Sequence, residues 1–403
     1  MCKTPRTIAI FIDGTWSRGG TTNPTNVRKL FEATLIGDVG GREQISLYIP
    51  GVGRKPKVDL AAASDADYDV QLSRHLRSEI LAGTAAVTRR LLGVAFGKGT
   101  TVRIKGTYHF LCKNFDRKRG DLVYLFGFSR GAFAARSLAG FTQHVGLLLA
   151  DKLDLVDKAY EIYERSEDPG QSELVEFLYK LTGRRSVSPD DEYYVPTHFL
   201  GVWDTVGSLG LPSRLEWMTA PFTEFHEVGV PPSVMTVRHA LALHEIREVF
   251  EPLLLRAGGH NDLKQVWFAG AHADVGGGYK SGETGLSNLA LRWMAVEANK
   301  RGLQFDDQSI WLKDSNESLM VHHEIRGPFL ATFPVIRNWL KDWSKSDFET
   351  HYVHRSALDY LSDGDREGYR FAHLLVNSAL RHVDALTVPK FVHLRLLGQE
   401  IEQ

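Results

Sequence analysis

The chain has 403 residues, of which 43% are hydrophobic and 24% charged, and its formal net charge at pH 7 is −1. A near-neutral balance with ordinary charge content argues against a nucleic-acid partner or a polybasic membrane anchor. The two cysteines, Cys2 and Cys112, define no disulfide framework. The length suits one large α/β domain with insertions or two medium domains.

The chain opens MCKTPRTIAIFIDGTW, whose apolar run is too short for a signal peptide and is interrupted by Asp13. No stretch approaches the roughly 18 apolar residues that a membrane span needs. The expectation is a chain made soluble in the cytoplasm, with export by a route that reads no N-terminal signal left open.

In chain order, apolar β-rich runs end in turns of functional character. Residues 7–12 (TIAIFI) run into Asp13-Gly14-Thr15, and residues 45–49 (ISLYI) into Pro50-Gly51-Val52-Gly53. Residues 122–126 run into Gly127-Phe128-Ser129-Arg130-Gly131, residues 198–203 (HFLGVW) into Asp204-Thr205, and residues 265–269 (QVWFA) into Gly270-Ala271-His272-Ala273-Asp274. Continuous apolar strands suit a parallel sheet buried on both faces. Helices are predicted between them at 27–34, 102–115, 132–143, 234–246 and 286–300. The alternation points to a doubly wound, mostly parallel α/β sheet with helical insertions. Residues 1–303 are expected to form this core, with insertions at about 151–192 and 210–233. Residues 304–403 are expected to form a helical or irregular extension packed on it. Within that extension, residues 328–348 (PFLATFPVIRNWLKDWSKSDF) suit either a helix against the core or a peripheral membrane contact.

Ligands of such sheets bind beyond the carboxyl ends of the strands, where Asp13, Ser129, Asp204 and His272 are all predicted. The strand–G-x-S-x-G–helix context around Ser129 is that of a nucleophile elbow. A serine hydroxyl needs a base and a carboxylate to orient that base. The order serine, acid, histidine is met by Ser129, Asp204 and His272. Asp274 is the competing acid, although two residues is an awkward separation for orienting His272. His239 and His244, on the predicted 234–246 helix, suit packing, and His322 and His323 lie in an irregular charged region.

An oxyanion hole needs two N–H donors, assigned to Arg130 and to Gly14 or Thr15, with Asp13 pinning that loop. Asp13-Gly14-Thr15 also invites a phosphatase reading through D-x-D-G-T, but Phe11 stands where the nucleophilic aspartate belongs. No Walker loop or metal-ligand spacing is present, and the expected chemistry requires no cofactor.

Motifs throughout residues 8–294 resemble those of a family of bacterial and fungal α/β-hydrolases that includes the first class of type VI secretion lipase effectors. They are FIDGTW, TNVRKLF, YIPGVG, GDLVYLFGFSRGAFAAR, GVWDTVGSLG, RHALALHEIREVFEP, VWFAGAHADVGGGY and LSNLALRWM, in that order. The resemblance implies an α/β-hydrolase fold and cleavage of phospholipid acyl esters, with the serine and histidine carried onto Ser129 and His272. It also implies a secretion-apparatus or immunity partner. Position 244 departs from the pattern, with His where an acidic residue is usual. A carboxylesterase acting on small soluble esters and a non-catalytic interaction protein are the alternatives.

Overall fold

The first strand, β1 (Arg6–Ile12), is buried from Thr7 onward. Ile8, Ile10 and Ile12 belong to the core on one face of the sheet, and Ala9 and Phe11 to the core on the other. A strand with no solvent face carries no polar alternation, hence the unbroken apolar run. The computed structural model describes residues 4–14, 23–51, 92–165, 173–183, 186–207, 229–247, 250–256, 262–313, 317–322, 350–354, 356–357 and 391–393. Thr15, His323, residues 328–348 and most of 210–233 lie outside the described residues.

After β1 come α1 (Asn26–Ala33), β2 (Gly37–Val39), β3 (Arg42–Ile49), α2 (Leu92–Asn114), β4 (Leu122–Phe128) and α3 (Arg130–Val145). A short 3-10 turn, α4 (Val156–Arg165) and α5 (Glu173–Thr182) come next. Then follow β5 (Thr197–Trp203), β6 (Val234–Ala242), β7 (Asp262–Phe268), α6 (His272–Gly276), α7 (Gly285–Asn299), β8 (His351–His354) and β9 (Phe391–His393). Among the described residues the strands make one nine-stranded sheet, ordered β2-β3-β1-β4-β5-β6-β7-β8-β9. Only the edge pairs β2–β3 and β8–β9 are antiparallel. α2 and α3 cover one face and α1 and α7 the other. This is the doubly wound, mostly parallel architecture predicted.

Two expectations give way. Residues 234–246, predicted as a helix, begin with β6, which pairs in parallel with β5 and β7. Eight of its nine residues are buried, so its apolar pattern has no period to display. The chain beyond residue 304 does not stay outside the core sheet, because β8 adds to the edge of β7.

The small residues of α3 set its distance from the sheet. A Cβ on Gly131 would stand 2.1 Å from the carbonyl oxygen of Ile12. The strand order reverses between β1 and β4, because β3 lies on one side of β1 and β4 on the other. Such a switch point is where doubly wound sheets bind ligands. Among the described residues, no helix is long and apolar enough to cross a membrane.

Candidate active site

Ser129 follows the last residue of β4 and precedes α3, with φ 58° and ψ −124°. A left-handed φ on a residue with a side chain is strained, at about 1–3 kcal/mol. The flanking glycines make the turn feasible. A Cβ on Gly127 would come within 2.4 Å of the Gly131 carbonyl oxygen, and one on Gly131 would strike β1. The Ser129 N–H donates to Trp203 O at 3.0 Å, tying the elbow to the end of β5.

Asp204 is the next residue after Trp203 and is fully buried, also with positive φ, 37°. Its N–H donates to Ala240 O at 2.7 Å, and its Oδ1 accepts from Ala242 N–H at 3.0 Å. These bonds aim Oδ2 at His272 Nδ1, 2.6 Å away. His272 opens α6 just past β7, and its N–H donates to Glu245 Oε2 at 3.1 Å. Its ring is flanked by Phe128, with centroids 4.6 Å apart, and Phe250, at 4.7 Å. Burial among these rings lowers the His272 pKa below its usual 6.5, opposed by the hydrogen bond and charge of Asp204. Phe128 directly precedes Ser129, so the imidazole rests beside the elbow.

Asp274, the competing acid, is committed elsewhere. Its Oδ1 lies 2.6 Å from His322 Nδ1, and its Oδ2 accepts from the N–H groups of Ala271 and His322, each at 2.9 Å. His322 also stacks on Tyr279. Asp274 therefore braces the loop that carries His272.

Asp13 is fully buried beyond β1. It accepts from Gly14 N–H at 2.7 Å, from Thr25 Oγ1 at 2.8 Å and from Tyr48 Oη at 2.6 Å. Burial raises its pKa, and these three donors oppose the rise. The Gly14 N–H that sequence suggested for the oxyanion is thus turned toward Asp13. Gly14 contributes closeness instead, since a Cβ there would stand 3.1 Å from the Cβ of Ser129 and from Phe128 O. Arg130 is the first residue of α3, directly after Ser129.

Glu245, Phe250 and His322 were not singled out as site residues by sequence. Glu245 is buried against Arg247 in a two-pronged ion pair and holds the His272 backbone. Its acidic character beside His244 was the available signal. His244 bonds Gly270 instead, with Nδ1 accepting from the Gly270 N–H at 2.8 Å and its own N–H donating to Gly270 O at 2.9 Å. Among the described residues, no three or more His, Cys, Asp or Glu side chains gather to hold a metal.

A serine at a strained strand–helix turn, with a buried His–Asp pair beyond the ends of β7 and β5, marks a candidate hydrolytic centre on an α/β sheet. The family follows from comparison. The chain belongs to the type VI secretion phospholipase effector Tle1-like family, whose catalytic-domain model matches residues 6–297. It is 34% identical over 248 residues to an uncharacterised protein of Saccharomyces cerevisiae, covering 62% of this chain and 32% of that one. Among solved structures, an uncharacterised protein from Pseudomonas aeruginosa is 17% identical with TM-score 0.40, covering 94% of this chain and 53% of that chain. The Tle1 effector bound to the VgrG spike of the type 6 secretion system is 19% identical with TM-score 0.36, covering 70% and 53%. The chain thus spans about a third of the yeast relative and about half of each solved chain.

Proposed function

We propose that the chain is a serine esterase that cleaves acyl esters of phospholipids through Ser129, His272 and Asp204. The observation that carries this reading is the 2.6 Å contact between His272 Nδ1 and Asp204 Oδ2, beside a serine held at positive φ. Asp204 fixes the tautomer with the proton on Nδ1, which leaves Nε2 as the base. Burial favours the neutral imidazole, which is the form that can take a proton. Ser129 Oγ attacks the ester carbonyl as its proton passes to His272 Nε2. The Arg130 N–H stabilises the oxyanion. His272 then protonates the departing alcohol. A water, deprotonated by the same nitrogen, releases the fatty acid and frees Ser129.

The lipid substrate is supported by the family's description as phospholipase effectors, which also suggests a secretion-apparatus partner for this chain. The test is mass spectrometry of a phospholipid mixture incubated with wild type and with Ser129→Ala. Fatty acid and lysophospholipid should accumulate with wild type alone. Activity retained in Ser129→Ala would overturn the mechanism. Hydrolysis of p-nitrophenyl butyrate without any phospholipid cleavage would identify a carboxylesterase for small soluble esters. Failure of a fluorophosphonate probe to label Ser129 would indicate a non-catalytic protein.

A further inference from the structure

The ends of β3, β1 and β4 stand level, because Ile49, Ile12 and Gly127 share one register across the three strands. Pro50, Asp13 and the Phe128–Ser129 elbow therefore form a row just beyond the sheet. α2 delivers Arg103 to this row, where its Nη2 donates to the carbonyl oxygen of Pro50. The other terminal nitrogen, Nη1, is buried and has no hydrogen-bond partner among the described residues. Burial lowers the Arg103 pKa to about 10, with Asp13 the foremost opposing charge. Asp13 attracts Arg103 only through space, because its hydrogen bonds come from Gly14, Thr25 and Tyr48.

A second guanidinium, that of Arg130, follows Ser129 directly. Burial and the like charge of Arg103 together lower its pKa to about 9. Two cations close enough to repel, one with an enclosed donor that no group among the described residues accepts, are an arrangement that a bound anion relieves. The planar guanidinium fork suits a phosphate in particular, through paired N–H···O bonds. Adjacent strands lie about 4.8 Å apart, so Pro50 and Ser129, on the outer two of three strands, are separated by about 10 Å. An anion held between the two arginines and an ester carbonyl at Ser129 then lie within one small amphiphile.

We propose that Arg103 and Arg130 form a phosphate subsite of the ester crevice, which grips the phosphodiester of a glycerophospholipid while its acyl carbonyl lies at Ser129. The subsite selects phospholipids over neutral glycerides. This proposal rests on the esterase reading above.

Two substrates with identical acyl chains, a phosphatidylcholine and a diacylglycerol, in non-ionic micelles, provide the test. Arg103→Gln should lose at least ten-fold more kcat/KM on the phospholipid than on the diacylglycerol, and Arg103→Lys should lose less than Arg103→Gln. Glycerol 3-phosphate should inhibit p-nitrophenyl butyrate hydrolysis by wild type and inhibit Arg103→Gln at least ten-fold more weakly. Inorganic phosphate matching that inhibition would identify free phosphate as a sufficient ligand and overturn the lipid assignment. Equal losses on both lipids, in variants with the wild-type melting temperature, would show that Arg103 merely supports the crevice. If wild type cleaves neither lipid nor the soluble ester, the esterase reading fails. Calorimetric titration with glycerol 3-phosphate then decides the subsite separately: binding lost in Arg103→Gln supports it, and no binding to wild type overturns it.

Discussion

His272 Nδ1 lies 2.6 Å from Asp204 Oδ2, although Asp274 is only two residues away along the chain. Asp204→Asn should keep the shape of the site yet reverse the hydrogen-bond sense, lowering kcat for p-nitrophenyl butyrate by about 10⁴-fold. Asp274→Asn should cost less than about ten-fold, because its partner is His322. A larger loss in Asp274→Asn than in Asp204→Asn would reverse the assignment.

Burial holds the pKa of His272 below 6.5. The neutral, base-competent ring thus persists as pH falls past 6.5 and is lost only further down. The acid limb of kcat/KM should have its midpoint below pH 6.5. The stability contribution has the same sign: it is fully present above the unfolded pKa and lost as pH falls through the folded one. A midpoint above 6.5 in the pH–rate profile would contradict the buried environment.

The positive φ of Ser129 is a backbone cost that glycine does not bear. Ser129→Gly and Ser129→Ala both remove the hydroxyl and should both abolish ester hydrolysis. Glycine should be the more stable of the two by about 1 kcal/mol, the strain relieved less its entropic penalty. Denaturant unfolding of the pair measures the difference, and greater stability in the alanine variant would show that the elbow is unstrained.

Gly131→Ala would put a methyl group 2.1 Å from the Ile12 carbonyl oxygen. It should destabilise the chain by at least about 1–3 kcal/mol and push the elbow off β1. Gly106→Ala is the control. It lies within α2, where an added Cβ meets nothing within 4 Å, and it should stabilise by up to about 1 kcal/mol. Thermal melts of both variants check the contrast.

Arg238 on β6 is buried, with Nε 2.5 Å from Glu297 Oε2 on α7 and Nη2 2.7 Å from Asp262 Oδ2 on β7. Arg238→Met should cost about 1–3 kcal/mol, because Glu297 loses its buried donor and keeps only Lys300 and Lys264. The double variant Arg238→Met/Glu297→Met should recover a large part of that loss in urea titrations.

Strand-to-turn junctions were legible in the sequence because each unites an unbroken apolar run with glycine or aspartate. The junctions at Asp13, Ser129, Asp204 and His272 all lie at strand ends in the structure. β6 was not legible. Val234, Val237 and Leu241 recur at helical spacing, and Arg238 and His239 read as a polar face. In the folded chain both are buried: Arg238 is paired with acids, and His239 Nε2 accepts from the Thr205 N–H at 3.2 Å. A buried strand whose polar groups find partners in neighbouring elements has no periodic signature of its own. Nor was the choice between Asp204 and Asp274 legible, since His322, which engages Asp274, comes 48 residues later.

The Asp274–His322 pair has a consequence for modularity. The family match ends at residue 297, before His322. A fragment trimmed to that boundary would remove the imidazole from a nearly fully buried carboxylate two residues from His272. It would also lose β8 from the flank of β7. The span matched by the family model therefore stops short of contacts that hold the His272 loop and the β7 edge, and excising that span alone should yield a protein that expresses poorly.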